Sequence, residues 1–471
     1  SSNCNFTAFV AYEYTGTPGT SNYHRNVIFR NKNVPTLPVS YIEAPFDSLL
    51  WDKLDEACAL EKNCEYLTIP HNTNLSNGRM APYMRIDKDL ESRRNYGKTR
   101  QNREPIVEIF QHKGNSECIN GLGSVLAPPD ELCNFEAIKS IGKPKTYQRF
   151  VSAPGSANLV LGETTELIEE CKGDFGEYGM IGAGCVHPTD FHRSGLLVGL
   201  KEQSETGINP VKLGAIGSTD THTATPGAAM ESDWRGHVTL ESTPQERLQP
   251  GLLTSGIDGN PGGLAGVWAR ENSRDAIFSA MKRREVFGTS GTRIIPRFFA
   301  GWSYPETICS SAALSKIGYA NGVPMGGTLN ADAGVPRLFL WAAQDPDHAP
   351  LAKIQIIKGW LEDGEAREKV FDVACADSDA SGACVSTKAP VDLSDCSWSD
   401  TAGAPELRAD WVDPDYDAAH NAFYYARVIQ IPSCRWTTYD SLRLGLAPPT
   451  DVPATITEMA WSSPIWVSAG D

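Results

Sequence analysis

The chain has 471 residues, 41% hydrophobic and 21% charged, which suits a globular protein of two or three domains with a large core and excludes a disordered one. Its net charge of −16 argues against a nucleic-acid backbone or an anionic membrane surface as the main partner. A small anionic substrate stays open, because a bound cation can invert the local field, and no apolar run approaches the roughly 20 residues of a transmembrane helix.

In chain order, residues 6–12 (FTAFVAY) predict a buried strand ending at Glu13, before a turn at Gly16, Pro18 and Gly19. NYHRNVIFR predicts a second strand with His24 and Arg25 at its entry. Residues 48–61 place Leu49, Leu50, Leu54, Ala57, Cys58 and Leu60 at helical spacing, with Ser48 as N-cap. YLTIPHN predicts a strand running into Pro70, His71 and Asn72. Residues 88–104 are charged, poor in apolar side chains, and predict a surface excursion. PIVEIFQ is the next buried strand, with Glu108 inside it and QHKGNSE as its polar tip.

Residues 120–192 predict long loops with short helices, and Arg193 to Glu202 a helix. That helix leads to residues 212–226, KLGAIGSTDTHTATP, where a strand from Leu213 to Ile216 runs into a turn bearing Asp220 and His222. On an extended backbone, side chains two residues apart point the same way, and a carboxylate beside an imidazole suits a divalent cation. The alternative is a helix start capped by Thr219 or Asp220. Residues 227–262, rich in Gly, Pro, Ser and Thr, predict an exposed insertion. SRDAIFSAMKRRE predicts an amphipathic helix capped by Ser273, and VFGTSGTRI a strand and turn. From about residue 334, RLFLWAA, KIQIIKGW, KVFDVAC, ELRADWV and FYYARVIQI are strands with few helices between them. They predict a separate β-rich, sandwich-like domain.

Twelve cysteines, none in a Cys-x-x-Cys pair, point to disulfides in an extracytoplasmic protein, periplasmic or secreted, and away from a zinc knuckle. Cys58 and Cys64, Cys118 and Cys133, Cys171 and Cys185, and Cys375 and Cys384 are neighbours, although spacing does not fix connectivity. Asn5 and Asn74 begin glycosylation sequons.

Polar residues recur just past the ends of buried strands: Glu13, His24, His71, His112, and Asp220 with His222. In a barrel of alternating strands and helices, such tips gather on one face. A lone histidine is more often structural than a ligand. Several at strand tips beside two carboxylates favour a metal centre. Ser218 and Thr219 read as turn residues, since no G-x-S-x-G elbow surrounds them.

FVAYEYTG with NYHRNVIFR, YLTIPHNTNLSNG, EPIVEIFQHKGNSE, LGAIGSTDTHTA, the run GGLAGVWARENSRDAIFSAMKRREVFGTSGTRI, and AFYYARVIQIPSCRW carry a resemblance over nearly the whole chain. The sequence resembles the PHP (polymerase and histidinol phosphatase) metallohydrolases, and more closely a secreted or periplasmic PHP-like family catalogued as a domain of unknown function. The resemblance implies an α/β fold, a distorted PHP-type (β/α) barrel over residues 1–333, followed by the β-rich domain over 334–471. It implies metal ligation by Glu13, His24, His71, Asp220 and His222. It gives catalytic roles to Glu108, from behind the ligands, and to His112, at metal or substrate. The PHP pattern opens with a His-x-His and an Asp-His that do not occur before Glu13. The resemblance therefore implies first strands absent from this chain, on a preceding segment or a separate one.

The expected function is a divalent-metal-dependent hydrolase, using Zn, Mn, Fe or Ca to activate water against a phosphate ester. Arg25 and Lys113 would hold the anionic substrate, or be solvated surface charges. Asn72 and Asn115 would orient ligands and substrate, or cap turns. Rival readings are a non-catalytic binding or assembly protein on the same scaffold, and sulfatase or amidohydrolase chemistry with the same ions. An oligomer is compatible with the sequence.

Overall fold

Three short strands open the fold: β1 (Val10–Tyr14), β2 (Arg25–Phe29) and β3 (Tyr66–Pro70), paired antiparallel in the order β1-β2-β3. The computed structural model describes residues 6–80, 89–152, 159–238, 243–251, 256–305, 308, 311, 313–332, 334–385, 389–398 and 402–469. Helix Asp47–Ala59 covers one face of this sheet, burying Leu50, Trp51 and Leu54 against Tyr14, Val27, Phe29 and Tyr66. Its spacing matches the sequence pattern, but it starts at Asp47, and Ser48 is not the cap. The first strand is shorter and less buried than expected, with Phe6 87% exposed.

A fourth strand, β4 (Ile106–Gln111), runs parallel to strand Gly214–Gly217. Both are short apolar strands whose far ends carry polar loops. Helix Leu90–Arg103 replaces the expected surface excursion. Asp89 caps it by accepting from the Ser92 N–H, and part of its charge is spent inside the molecule. Arg93 pairs with Glu202 and Glu205 of helix His192–Thr206, and buried Arg100 with Glu104. A helix that packs through ion pairs has no apolar stripe to announce it.

The expected (β/α) barrel is absent: among the described residues no sheet closes on itself. Such a barrel needs eight parallel strands. Here the parallel strand pairs are β4 with Gly214–Gly217 and Thr328–Leu329 with Ile465–Val467, while β1, β2 and β3 form an antiparallel meander. A polar residue just past a buried strand looks the same in sequence whichever way the next strand runs.

The β-rich part also begins before residue 334. Strands Leu264–Val267, Val286–Thr289 and Thr328–Leu329 join Leu351–Glu362, Glu365–Cys375, Ala422–Gln430, Met459–Ser462 and Ile465–Val467 in one eight-stranded sheet. A four-stranded sheet takes Ile295–Gly301 and Val323–Pro324 together with Arg337–Ala343 and Glu406–Val412. Phe298, Leu338 and Leu340 of the smaller sheet form one buried cluster with Ile354, Ile356, Tyr424 and Val428 of the larger.

Behind the larger sheet lies a buried ionic network. Glu117 accepts from Arg193 at 2.7 Å, Tyr425 at 2.7 Å, Arg427 at 3.2 Å and the Trp461 indole at 2.7 Å. Asp130 accepts from the same two arginines at 2.9 and 2.8 Å. Two carboxylates thus answer two guanidinium groups, and the hydrogen bonds make their burial tolerable.

Disulfides Cys58–Cys64, Cys118–Cys133, Cys171–Cys185, Cys375–Cys384 and Cys396–Cys434 are formed, which places the protein in an oxidising, extracytoplasmic setting. Among the described residues no helix is long and apolar enough to cross a membrane. Asn74 is buried with its amide donating to the Lys113 carbonyl at 2.9 Å, so its sequon is inaccessible in the folded protein. Asn5 lies outside the described residues.

Candidate metal centre

Strand register decides which side chains of the β1-β2-β3 sheet meet. Glu13 lies opposite Asn26, and Asn26 opposite Ile69. His24 is two residues before Asn26 and His71 two after Ile69, so Glu13, His24 and His71 project from one face. His24 Nδ1 lies 2.9 Å and His71 Nε2 3.3 Å from the same Glu13 oxygen. Asn26 Nδ2 stands 3.4 Å from His71 Nδ1, on the far side of that ring.

A second group forms where β4 and Gly214–Gly217 end. His112 Nε2 lies 3.3 Å and Lys113 Nζ 2.6 Å from Asp220 Oδ2, to which Gln111 also donates at 3.0 Å. His237 stacks on His112 with ring centres 3.4 Å apart, and His222 meets His237 edge-on at 4.6 Å.

Three sets of ligand atoms each fall within 4.8 Å of one another: Glu13, His24 and His71; His112, Asp220 and His237; and Glu13, Asp220 and His222. Glu13 belongs to the first and third, and Asp220 to the second and third. The sets therefore join into one continuous centre. All five residues that the sequence singled out as ligands are in it, together with His112.

The local route to Asp220 and His222 is not the extended one expected. Asp220 is in a left-handed turn, φ 52°, and its carbonyl lies 2.8 Å from His222 Nδ1. An N–H there donating to the carbonyl leaves Nε2 unprotonated and able to ligate a cation.

Charge and burial favour cation binding. Burial would raise the Glu13 carboxyl, but hydrogen bonds from His24 and His71 outweigh it and hold it well below its ordinary range. Burial would likewise raise Asp220, and His112 and Lys113 outweigh it. Burial lowers His24, with Glu13 partly opposing. It lowers His112 strongly, helped by Lys113, and pushes His237 down to about 3, again with Lys113 beside it. Neutral imidazole is the ligating form. His71 is the exception: burial lowers it, but Glu13, Glu108 and Asp220 together raise it.

His24 Nε2, His112 Nδ1 and His237 Nδ1 are buried without a hydrogen-bond partner, and His71 Nε2 and His112 Nε2 have only a long contact of 3.3 Å to Glu13 and Asp220. Buried polar nitrogens left unpaired or weakly held are costly, and here five lie around two carboxylates. A bound cation would satisfy them. The residues present therefore fit a divalent metal, and five imidazoles with two carboxylates suit Zn, Mn or Fe better than Ca, which prefers oxygen.

Glu108 braces the floor of the centre. It accepts from the Asn72 N–H at 3.2 Å and from the Ser218 hydroxyl, tying β3 to the loop after Gly214–Gly217. Burial pushes its carboxyl up to about 7. Asn72 is buried with both side-chain polar atoms unpaired. Asn115 spends its oxygen on the Glu117 N–H at 2.6 Å and keeps a buried, unpaired NH₂. Arg25 is not available to a substrate. As His24's neighbour on the strand it faces the other way, fully buried and bound to Glu104 at 2.5 Å and Asp47 at 3.2 Å.

His237 is the residue that sequence reasoning missed. It sits within residues 227–262, expected to be an exposed insertion, yet Ala229, Glu231, Trp234, His237, Arg247 and Asn260 there are buried. The segment folds over the strand tips. Asn260 donates to the His112 carbonyl at 3.2 Å, and Gly262, at φ 83°, comes so close that a Cβ would lie 2.7 Å from the Ser218 carbonyl.

A family model described as a protein of unknown function (DUF3604) matches residues 1–157 and 174–469. The chain belongs to the DUF3604 family. No curated protein and no solved structure matches it. The DUF3604 match spans every residue of the centre, from Glu13 to His237. A separate grouping in this DUF3604 chain, Cys118, Asp130 and Cys133, offers no thiolate, because its two sulfurs are bonded to each other and its carboxylate is held by Arg193 and Arg427.

Proposed function

We propose that this DUF3604 protein is a divalent-metal-dependent hydrolase acting on phosphate esters. The observation that carries the reading is the sharing of Glu13 and Asp220 between adjacent ligand sets lined by buried, unpaired imidazole nitrogens. The likeness to PHP enzymes supports the ligand roles, without the barrel. Cations bound there would acidify a water enough to supply hydroxide at neutral pH.

The chain's own groups divide the remaining work. Glu13 and Asp220 supply anionic ligands, and His24, His71, His222, His112 and His237 neutral ones. Lys113 holds Asp220 Oδ2 at 2.6 Å and so fixes the carboxylate in place. Its ammonium also offers a positive charge to a phosphoryl oxygen. Glu108 keeps β3 and the Asp220 loop in register and, near its titration point at neutral pH, can hold or release a proton. Glu13 and His222 are partly open to solvent, which gives a substrate its approach.

Elemental analysis of the purified protein, paired with 4-nitrophenyl phosphate turnover after reconstitution with Zn, Mn or Fe, tests this. At least one tightly held ion per chain and turnover that His71→Ala and Asp220→Asn abolish are expected. A chain that holds no ion under any of these conditions sinks the reading.

A further inference from the structure

A groove of about 540 Å³ shares no lining residue with the metal centre. Trp268, Arg270, Arg283, Glu285, Arg297 and Tyr319 line it. It lies where strand Leu264–Val267, the turn after helix Arg274–Lys282, strand Ile295–Gly301 and helix Leu314–Asn321 come together. Three guanidinium groups face one carboxylate there, a local excess of positive charge on a chain of net charge −16.

Arg297 is the organising residue. Its guanidinium carbon lies 3.1 Å from the centre of the Trp268 ring. Trp268 is fixed in turn by an indole hydrogen bond to the Pro296 carbonyl at 3.2 Å and a backbone bond to Glu285 at 3.0 Å. Among the described residues, the hydrogen bond of the Arg297 side chain is a long one, 3.3 Å, to the Tyr319 hydroxyl. Glu285 does not neutralise it at close range, because its oxygens are taken by Arg283 at 3.2 Å and by the Tyr319 hydroxyl. Arg297 is thus a flat fork with donors to spare, held in one orientation before any ligand arrives. Burial lowers its pKa from the ordinary arginine value, the sign of a charge short of a counter-ion. Arg270, exposed at the rim, makes no hydrogen bond or ion pair among the described residues.

A surface Arg–Trp stack alone is common and needs no ligand. What separates this one is the combination of a cavity, an immobilised guanidinium, a second unpaired guanidinium and an adjacent, 47% exposed Tyr319. We propose that the groove binds a small organic oxyanion, its charged head held by Arg297 and Arg270 and its ring lying along Tyr319 and Pro324. The head group is phosphate, sulfate or carboxylate, which share this recognition chemistry.

Calorimetric titration of the intact protein with phenyl phosphate, phenyl sulfate and benzoate at low salt tests the proposal, with inorganic phosphate as the ringless control. His71→Ala is titrated in parallel to separate binding at the metal centre. At least one of the three ring compounds should bind, tighter than inorganic phosphate and equally well in His71→Ala. Arg297→Lys, which keeps the charge and loses the fork, should weaken that binding at least fivefold. So should Arg270→Ala, which removes an exposed side chain without partners and leaves the fold intact. Binding by none of the three, affinities unchanged in both arginine variants, or binding lost in His71→Ala would each overturn the proposal. Inorganic phosphate binding as tightly as phenyl phosphate would overturn the role of the ring.

Discussion

The imidazole rings of His112 and His237 stack 3.4 Å apart and only 19° from parallel, although they come from segments far apart in the chain. Neither Nδ1 has a hydrogen-bond partner, and burial keeps both rings neutral. Two such rings against one carboxylate fit the proposed metal centre as ligands. His237→Ala should reduce metal affinity by roughly 10–100-fold, the range found when supporting groups of metal sites are removed. Metal titration with a chromophoric competitor reads this directly, and unchanged affinity would remove His237 from the centre.

Arg427 and Glu117 make a second long-range pair, fully buried at 3.2 Å. Removing one partner leaves an uncompensated charge in the interior. Arg427→Ala should destabilise the fold by about 3–5 kcal/mol, measured by urea denaturation. A loss under 1 kcal/mol would mean that the network is hydrated.

Stability should also depend on pH through Glu458. Burial pushes this carboxyl up to about 7 from an ordinary 4.5, against a hydrogen bond from Ser290. The folded state therefore holds a proton that the unfolded chain has released. The stabilisation is fully present below pH 4.5 and is lost as pH rises toward 7. Glu458→Gln should flatten this stretch of the stability profile and leave the variant more stable than the parent at pH 8. An unaltered slope would show that Glu458 is ionised in the fold.

Cys396–Cys434 spans 38 residues, the widest disulfide among the described residues. Loop-closure entropy gives such a crosslink about 4 kcal/mol. Replacing both cysteines by serine should lower the thermal midpoint, and calorimetry of the double variant should show a larger loss than the same change at Cys58 and Cys64, 6 residues apart.

Expression in a glycosylating host should leave Asn74 bare, because its side chain is buried and engaged. Peptide mass spectrometry decides this, and a glycan there would contradict the packing of the β3 loop.

The ligands were legible in the sequence because each follows a short apolar run, and runs that end at a common edge bring their tips together whatever the strand direction. Strand direction was not legible. Antiparallel β1, β2 and β3 carry the same strand-then-polar signal as a barrel would, so residues that do meet in space came with the wrong architecture. Arg25 was misplaced by one position: next door to a ligand on a strand means the opposite face. His237 gave no signal of its own, being a single histidine in a stretch whose glycines and prolines read as solvent-exposed. Helix Leu90–Arg103 was hidden because its buried contacts are ionic, and hydrophobic periodicity does not register them.

The Glu117–Arg193–Arg427 network also ties the two ends of the polypeptide together. Glu117 and Arg193 belong to its first half, while Tyr425, Arg427 and Trp461 belong to its last quarter. A fragment cut anywhere between Arg193 and Tyr425 therefore strands a carboxylate on one piece and the groups that answer it on the other, and neither piece carries a complete interior of its own.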